Sequence, residues 1–253
     1  MKNSIDYSKF QNLNYEKFRL MALDTTLTCY EKIGFPNSYR EGYEKLIWED
    51  IQDKLPNLSQ NDKVILDIGT GLSELPYSLI NTCRKNQHTL ILVDAPEILD
   101  QLPNEEFIIK IPGKYPFDSS ILFKNYLKKI DIILCYSVFH YIFTEGNIYQ
   151  FLDKTLSLLG PQGQMLLGDI PNSSKRKRFF SSSDGIKFHQ TFTNSNEIPE
   201  VNFNCIEHDQ IDDAVLLSII SRSRNSGFEA FILPQNDSLP MANRREDILI
   251  KRN

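Results

Sequence analysis

Cysteine is scarce and unpaired in this chain. Its four residues, Cys29, Cys83, Cys135 and Cys205, share no short spacing in 253 positions. That pattern excludes a disulfide scaffold and a cysteine-based zinc site, and it predicts reduced thiols and no bound metal. Positive charge is not in excess either: 28 lysines and arginines face 33 acids, for a net charge of −5. A balance of that sign argues against general nucleic-acid binding. Long apolar runs are missing, so no segment approaches the ~18 residues of a membrane span. No secretory leader is recognisable, and the expected location is the cytoplasm. Internal repeats and long low-complexity tracts are missing too. What remains is an ordinary globular composition, 41% hydrophobic. The length suits one α/β domain with additions.

The most informative stretch that is present runs from Val64 through Asp67, Gly69, Thr70, Gly71 and Ser73 to Glu74. Val64 to Leu66 read as a strand covered on both faces. Gly69 and Gly71 let the backbone turn sharply and approach a ligand. Ser73 is the expected N-cap of the next helix, and Pro76 suits its first turn. Free amides, a positive helix end and the Asp67 carboxylate then meet at one strand tip. A second strand, Thr89 to Val93, ends on Asp94, which follows Gly71 after 23 residues. That is close to the ~20 expected for an acid that takes ribose hydroxyls after one βαβ step. Further strands are expected at Phe107–Ile111, Ile130–Cys135, Gln164–Gly168, Phe228–Leu233 and Asp247–Lys251. Helices are expected at Leu75–Cys83, Asn147–Leu159 and from Asp212 to Arg224, the last capped by Gly227. Alternating strands and helices predict a parallel sheet with helices on both faces. The link from Pro234 to Glu246 is too short for a crossover helix, so the last two strands should be antiparallel.

Asp67-x-Gly69-x-Gly71 resembles the first motif of class I S-adenosylmethionine-dependent methyltransferases. The whole run from Lys63 resembles their seven-stranded, mostly parallel, Rossmann-like sheet with the last strand antiparallel. The resemblance implies an enzyme that binds S-adenosylmethionine through Asp67, Gly69, Thr70, Gly71, Asp94 and Ala95. It also implies that Tyr136 and Ser137, at the fourth strand tip, face the sulfonium. Many members carry an aspartate at the third strand tip, beside the adenine; this chain has no acid between Ile108 and Phe117, so backbone groups would serve there. His140, just beyond the fourth strand, is a candidate general base.

Two regions stand outside the sheet. Residues 1–60 read as an N-terminal helical lid on a domain spanning 61–253, with helices expected at Tyr15–Asp24 and Tyr39–Leu55. The loop Glu31–Arg40 between them mixes aromatics with charge, and Tyr30, Tyr39 and Arg40 are candidates for cofactor or acceptor contact. The second region is an insertion at about 170–210, directly after Asp169 at the fifth strand tip. Its run Lys175-Arg-Lys-Arg178 is a basic anomaly in an acidic chain, and Lys175 and Arg176 are candidate anion ligands. His189 and Asp169 join His140 as candidate catalytic groups.

Four stretches resemble a narrower group, the methyltransferases found with bacterial surface-sugar and nonulosonic acid pathways. They are Glu31–Pro36, Gly168–Asn172 with Ser174–Phe179, Lys187–His189 and Asn243–Ile250. The resemblance implies O- or N-methylation of a small acceptor, probed first as a sugar or nonulosonic acid derivative and anionic in character. Three rivals remain: an NAD(P)-dependent Rossmann reductase, a non-catalytic cofactor-binding partner subunit, and an enzyme that methylates a protein. The reductase wants glycine where Glu74 stands and a Tyr-x-x-x-Lys pair that no tyrosine here provides. Oligomeric state has no signal in the sequence.

Overall fold

A computed structural model of the protein describes residues 7–205 and 207–253. The first six residues of the N-terminal segment, and Ile206 of the insertion, lie outside the described residues. Three helices come first: α1 (Tyr15–Leu23), α2 (Cys29–Lys32) and α3 (Glu44–Lys54). Then follow β1 (Val64–Ile68), α4 (Leu75–Lys85), β2 (Thr89–Asp94), α5 (Pro96–Leu99), β3 (Ile108–Pro112), α6 (Ser120–Asn125) and β4 (Ile130–Tyr136). The chain continues through α7 (Phe139–Glu145), α8 (Ile148–Leu158), β5 (Leu159–Pro171), α9 (Ser173–Phe180) and α10 (Ser183–Thr193). It ends with α11 (Asp213–Asn225), β6 (Glu229–Pro234) and β7 (Arg245–Lys251).

One sheet holds all seven strands in the order β3-β2-β1-β4-β5-β7-β6. Pairs among β1 to β5 are parallel, and β7 runs antiparallel to both β5 and β6. The expected sheet and its final reversal are therefore present. Strand order reverses between β1 and β4, and a crevice opens at the carboxyl ends of strands at such a point.

Period-two alternation divides the core. Leu66, Ile91, Ile133 and Leu167 face α8 and α11, packing with Phe151, Leu156 and Ile219. Ile65, Leu90, Ile132 and Leu166 face the other way, onto Ile47, Ile51, Leu55, Leu79 and Ile80 of α3 and α4. Each such side chain contributes about 1.5–3 kcal/mol on burial. α3 thus forms part of the sheet's covering layer rather than a free flap.

Several boundaries differ from the sequence expectation. The helix expected over Tyr39–Leu55 starts only at Glu44, because Gly42 lies at φ +81° and breaks it. The loop expected at Glu31–Arg40 contains the end of α2, held by a Thr28–Glu31 capping box, and a 3-10 turn at Asn37–Tyr39. β5 extends well beyond Gln164–Gly168, since Leu159 already pairs with Ile130 across a register shift. Gly160 and Pro161 therefore lie inside the strand. At α4 the backbone cap is Glu74, while the Ser73 hydroxyl accepts from the Leu75 amide at 3.2 Å.

Candidate active site

The crevice at the strand-order reversal is a real cleft of about 160 Å³. Its floor is the β1 turn, with Gly69 at φ +74° and Gly71 at φ +69°. Both glycines are needed for packing as well as for φ. A Cβ at Gly69 would stand 2.5 Å from Val138, and one at Gly71 would stand 2.8 Å from Ile33. Asp94 joins the floor from the tip of β2. Its Oδ2 accepts from the Gly71 amide at 2.9 Å and its Oδ1 from the Ala95 amide at 2.7 Å. One lone pair per oxygen is left for a ligand hydroxyl. No described cation pairs with this carboxylate, and burial pushes its pKa up to about 6.

Gly113 to Phe117, after β3, form one wall with Val93 and Ile98. The nearest acid, Asp118, is exposed, does not line the cleft, and accepts from the Lys114 amide at 2.9 Å. A flat apolar group therefore meets side-chain and backbone surface here. The opposite wall is Tyr136, Ser137 and Val138 at the β4 tip, with Tyr141 of α7. The roof comes from Tyr15 and Phe18 of α1 and from Lys32 and Ile33 at the end of α2. Arg19 Nε and Nη2 donate to Glu97 of α5, at 2.6 to 3.1 Å, and the Tyr15 amide donates to Glu145 at 3.1 Å, so the roof is tied down at both ends.

The residues expected at the site fall into three groups. Gly69, Thr70, Gly71, Asp94, Tyr136, Ser137 and Arg40 line the cleft together. Asp67 lies behind the turn, where burial pushes its pKa up to about 7, and Ala95 is buried beneath Asp94. Asp169, Tyr39 and His189 lie on the far side of Arg40 in two neighbouring cavities.

Asp169 is fully engaged. Arg40 Nη2 donates to its Oδ2 at 3.0 Å, Ser137 donates to the same oxygen, and Gln235 donates to Oδ1 at 3.2 Å. Arg245 adds an ion pair at 3.3 Å. Burial alone would raise this carboxyl; Arg245 and Arg40 overcome that and hold it below the usual range. Ser137 and Asp169 both occupy the left-handed region, at φ +60° and +58°. Such strain at two adjacent strand tips is typical of functional edges. His140 sits on α7 against the Tyr141 ring, 3.9 Å between centroids, and does not line the cleft. Burial, assisted by Arg245, pushes its pKa down to about 3, so it is a neutral imidazole.

The basic run of α9 is consumed internally. Lys175 donates to the Arg245 carbonyl at 2.9 Å, Arg176 pairs with Glu207 at 3.0 Å, and Arg178 pairs with Asp213 at 2.5 Å. Residues that sequence reasoning missed are Tyr15, Phe18 and Ile33 in the roof and the Lys114–Glu145 pair at the rim. Arg244 and Arg245 had a signal, since they stand in a singled-out stretch. Nothing in the pattern tied them to the site. Among the described residues no cluster of histidine, cysteine or acid could hold a metal, and no helix is long and apolar enough to cross a membrane.

The architecture is that of the class I methyltransferase sheet. Solved structures with this fold include the CurJ carbon methyltransferase, 14% identical over 96% of this chain with a TM-score of 0.55. This chain spans 65% of that protein's length. The plantazolicin methyltransferase BpumL, solved with a triazolic desmethylPZN analogue and SAH, is also 14% identical, with 94% of this chain and 99% of that one covered and a TM-score of 0.55. A geranyl diphosphate C-methyltransferase from Streptomyces coelicolor A3(2) is 10% identical, covering 99% of this chain and 94% of its own, at a TM-score of 0.50. At these identities the likeness is one of fold. No protein-family model matches the chain, and no curated protein does.

Proposed function

We propose that the protein is an S-adenosylmethionine-dependent methyltransferase acting on a small polar acceptor, with a sugar or nonulosonic acid derivative as the first class to test. The observation that carries this reading is the pairing of the Gly69–Gly71 turn with the free face of the Asp94 carboxylate, 2.9 Å away, at the topological switch point. The cleft fits such a cofactor in three respects. Asp94 offers acceptor capacity for ribose hydroxyls, the Gly113–Phe117 wall and Ile98 offer a slot for a flat base, and the two glycines leave room for close backbone approach. Glu74 opens α4, where a dinucleotide's pyrophosphate would meet its charge; this disfavours the reductase. Methyltransferases of the same fold, one solved with SAH and another with geranyl diphosphate and S-adenosyl-L-homocysteine, add support.

Bound there, the cofactor supplies an electrophilic methyl group on a sulfonium, and transfer leaves S-adenosylhomocysteine. The chain's own contribution is alignment and exclusion of water. Tyr136 and Ser137 at the β4 tip and Tyr141 of α7 shape the approach, and the roof of α1 and α2 covers it. Positioning of this kind is worth several kcal/mol. Asp169 acts as a positioning residue, holding Arg40 and Ser137 in place. A neutral His140 with a pKa near 3 is a weak base. His189, which lines the cavity beyond Arg40, is our candidate to take the proton of a hydroxyl acceptor.

Calorimetry with S-adenosylhomocysteine and with NADH tests the cofactor. Binding of the first alone is the expected result; binding of NADH alone would overturn the proposal. Transfer of labelled methyl to a panel of neutral sugars, sugar acids and nucleotide sugars then tests the acceptor class.

A further inference from the structure

The cavity beyond Arg40 carries a cation that no described carboxylate pairs with. It lies between the N-terminal turn and α10, with a volume of about 420 Å³. Arg244 and Arg245 line one side. Arg245 is paired with Asp169. Arg244 makes no ion pair with any described carboxylate, although it is half-buried; its guanidinium stands over the rings of Phe180 and Phe188, at 5.9 and 5.4 Å. Burial lowers its pKa, Tyr39 opposes that, and Arg245 and Arg176 nearby add to the lowering. An arginine held over aromatic rings, among other cations and with no described carboxylate beside it, presents its donor fork to an incoming anion.

The rest of the lining suits a flat ring. Phe188 and Phe192 stack nearly parallel, 6° apart at 6.2 Å, and are 37% and 58% exposed. Phe35 closes the inner end, with Arg40 on one side at 4.4 Å and Arg245 at 5.5 Å. The partition from the cofactor cleft is one turn thick. Ile33 faces the cleft, and Gly34 and Phe35 line the cavity. A Cβ on Gly34 would stand 3.2 Å from the Tyr141 hydroxyl and 3.3 Å from Phe18, both of which line the cleft.

We propose that this cavity is the acceptor-recognition site, and that it takes a small anion, a carboxylate or a phosphate, whose flat apolar face rests on Phe188 and whose charge is held by Arg244. The word acceptor rests on the methyl-transfer reading; the anion site does not. Arg244 and the phenylalanine rings, rather than the α9 basic run, then set acceptor specificity.

Anilinonaphthalene sulfonate, an aromatic anion, is the probe, titrated by fluorescence into the full-length protein. Arg244→Gln should weaken it about tenfold or more, the scale of a lost charge-assisted contact. Arg244→Lys should recover only part, because an ammonium cannot lie flat on a ring. Phe188→Leu should weaken it severalfold, and Arg222→Ala, whose partner is Asp153, should change nothing. Benzoate or phenyl phosphate should displace the probe and benzyl alcohol should not; which anion competes better tells carboxylate from phosphate. Equal probe affinity in wild type and Arg244→Gln, or displacement by benzyl alcohol as good as by the anions, would overturn the proposal. S-adenosylhomocysteine binding by Arg244→Gln, measured in parallel, should match wild type. If that cofactor binds to neither protein while the probe pattern holds, the methyl-transfer reading fails and the anion site stands.

Discussion

Two buried carboxylates at the strand tips give the site a pH signature. Asp67 and Asp94 are raised by burial to about 7 and about 6, so each binds a proton more readily folded than unfolded. A raised acid stabilises the fold fully below its unfolded pKa, and that contribution is lost as pH rises through the folded value. Asp67→Asn should therefore raise the melting temperature of the ligand-free protein at pH 8 by a few degrees and leave it unchanged near pH 4, as scanning calorimetry would show. A ligand that needs Asp94 ionised should bind about tenfold more weakly one unit below its pKa. S-adenosylhomocysteine affinity at pH 5 against pH 8 measures this, and a flat profile would refute ribose contact through this carboxylate. Gly34 offers a second residue-scale test. At φ +84°, a side chain there is strained by about 1–3 kcal/mol and would also press on Leu13 and Tyr141. Gly42, at φ +81° with nothing within 4 Å, carries the strain alone. Both alanine variants should lose stability, and only Gly34→Ala should also weaken S-adenosylhomocysteine binding.

At the scale of elements, α1 is the part of the roof held mainly by polar ties. It buries only Ala22, so its position depends on Arg19 with Glu97, on Tyr15 with Glu145, and on Lys32 and Gln101, whose nitrogens donate to the Ala22 carbonyl at 2.9 and 3.0 Å. Solvent screens a pair of this type, so it adds little to stability. Arg19→Ala should thus barely move the melting temperature, yet speed amide exchange in α1 and raise the dissociation rate of S-adenosylhomocysteine severalfold. Glu16→Ala removes Arg19's other partner without untying α1 from α5 and should leave that rate alone. Added salt should mimic Arg19→Ala, because the tie is solvent-facing.

At the scale of the whole molecule, the N-terminal segment is welded to the sheet through a buried ion triad. Lys54 Nζ of α3 donates to Asp50 at 2.5 Å and to Asp247 of β7 at 2.7 Å, all three being nearly inaccessible. Asp247 also accepts from the Asp169 amide at 2.8 Å, which links the weld to the strained β5 tip. Lys54→Met would leave two buried carboxylates without their cation. That should cost about 3–5 kcal/mol. The midpoint of urea unfolding reports it, and Lys54→Met combined with Asp247→Asn should recover part of the loss.

Local pattern alone determined the sheet, because hydrophobic period and turn chemistry are written in neighbouring residues. The β1 turn, Asp94 after β2, the Asp212 cap and Gly227 end of α11, and the antiparallel β6–β7 pair were all legible there. Tertiary structure decided what long-range contacts decide. It showed that α3 is core, that the α9 basic run spends its charges on Glu207, Asp213 and a carbonyl, and that Asp169 is clamped by Arg40 and Arg245. It also left Arg244 without a partner among the described carboxylates. A charge on the page of a sequence carries no partner. Whether it is neutralised depends on residues 30 to 130 positions away, and only the folded chain brings them within 4 Å.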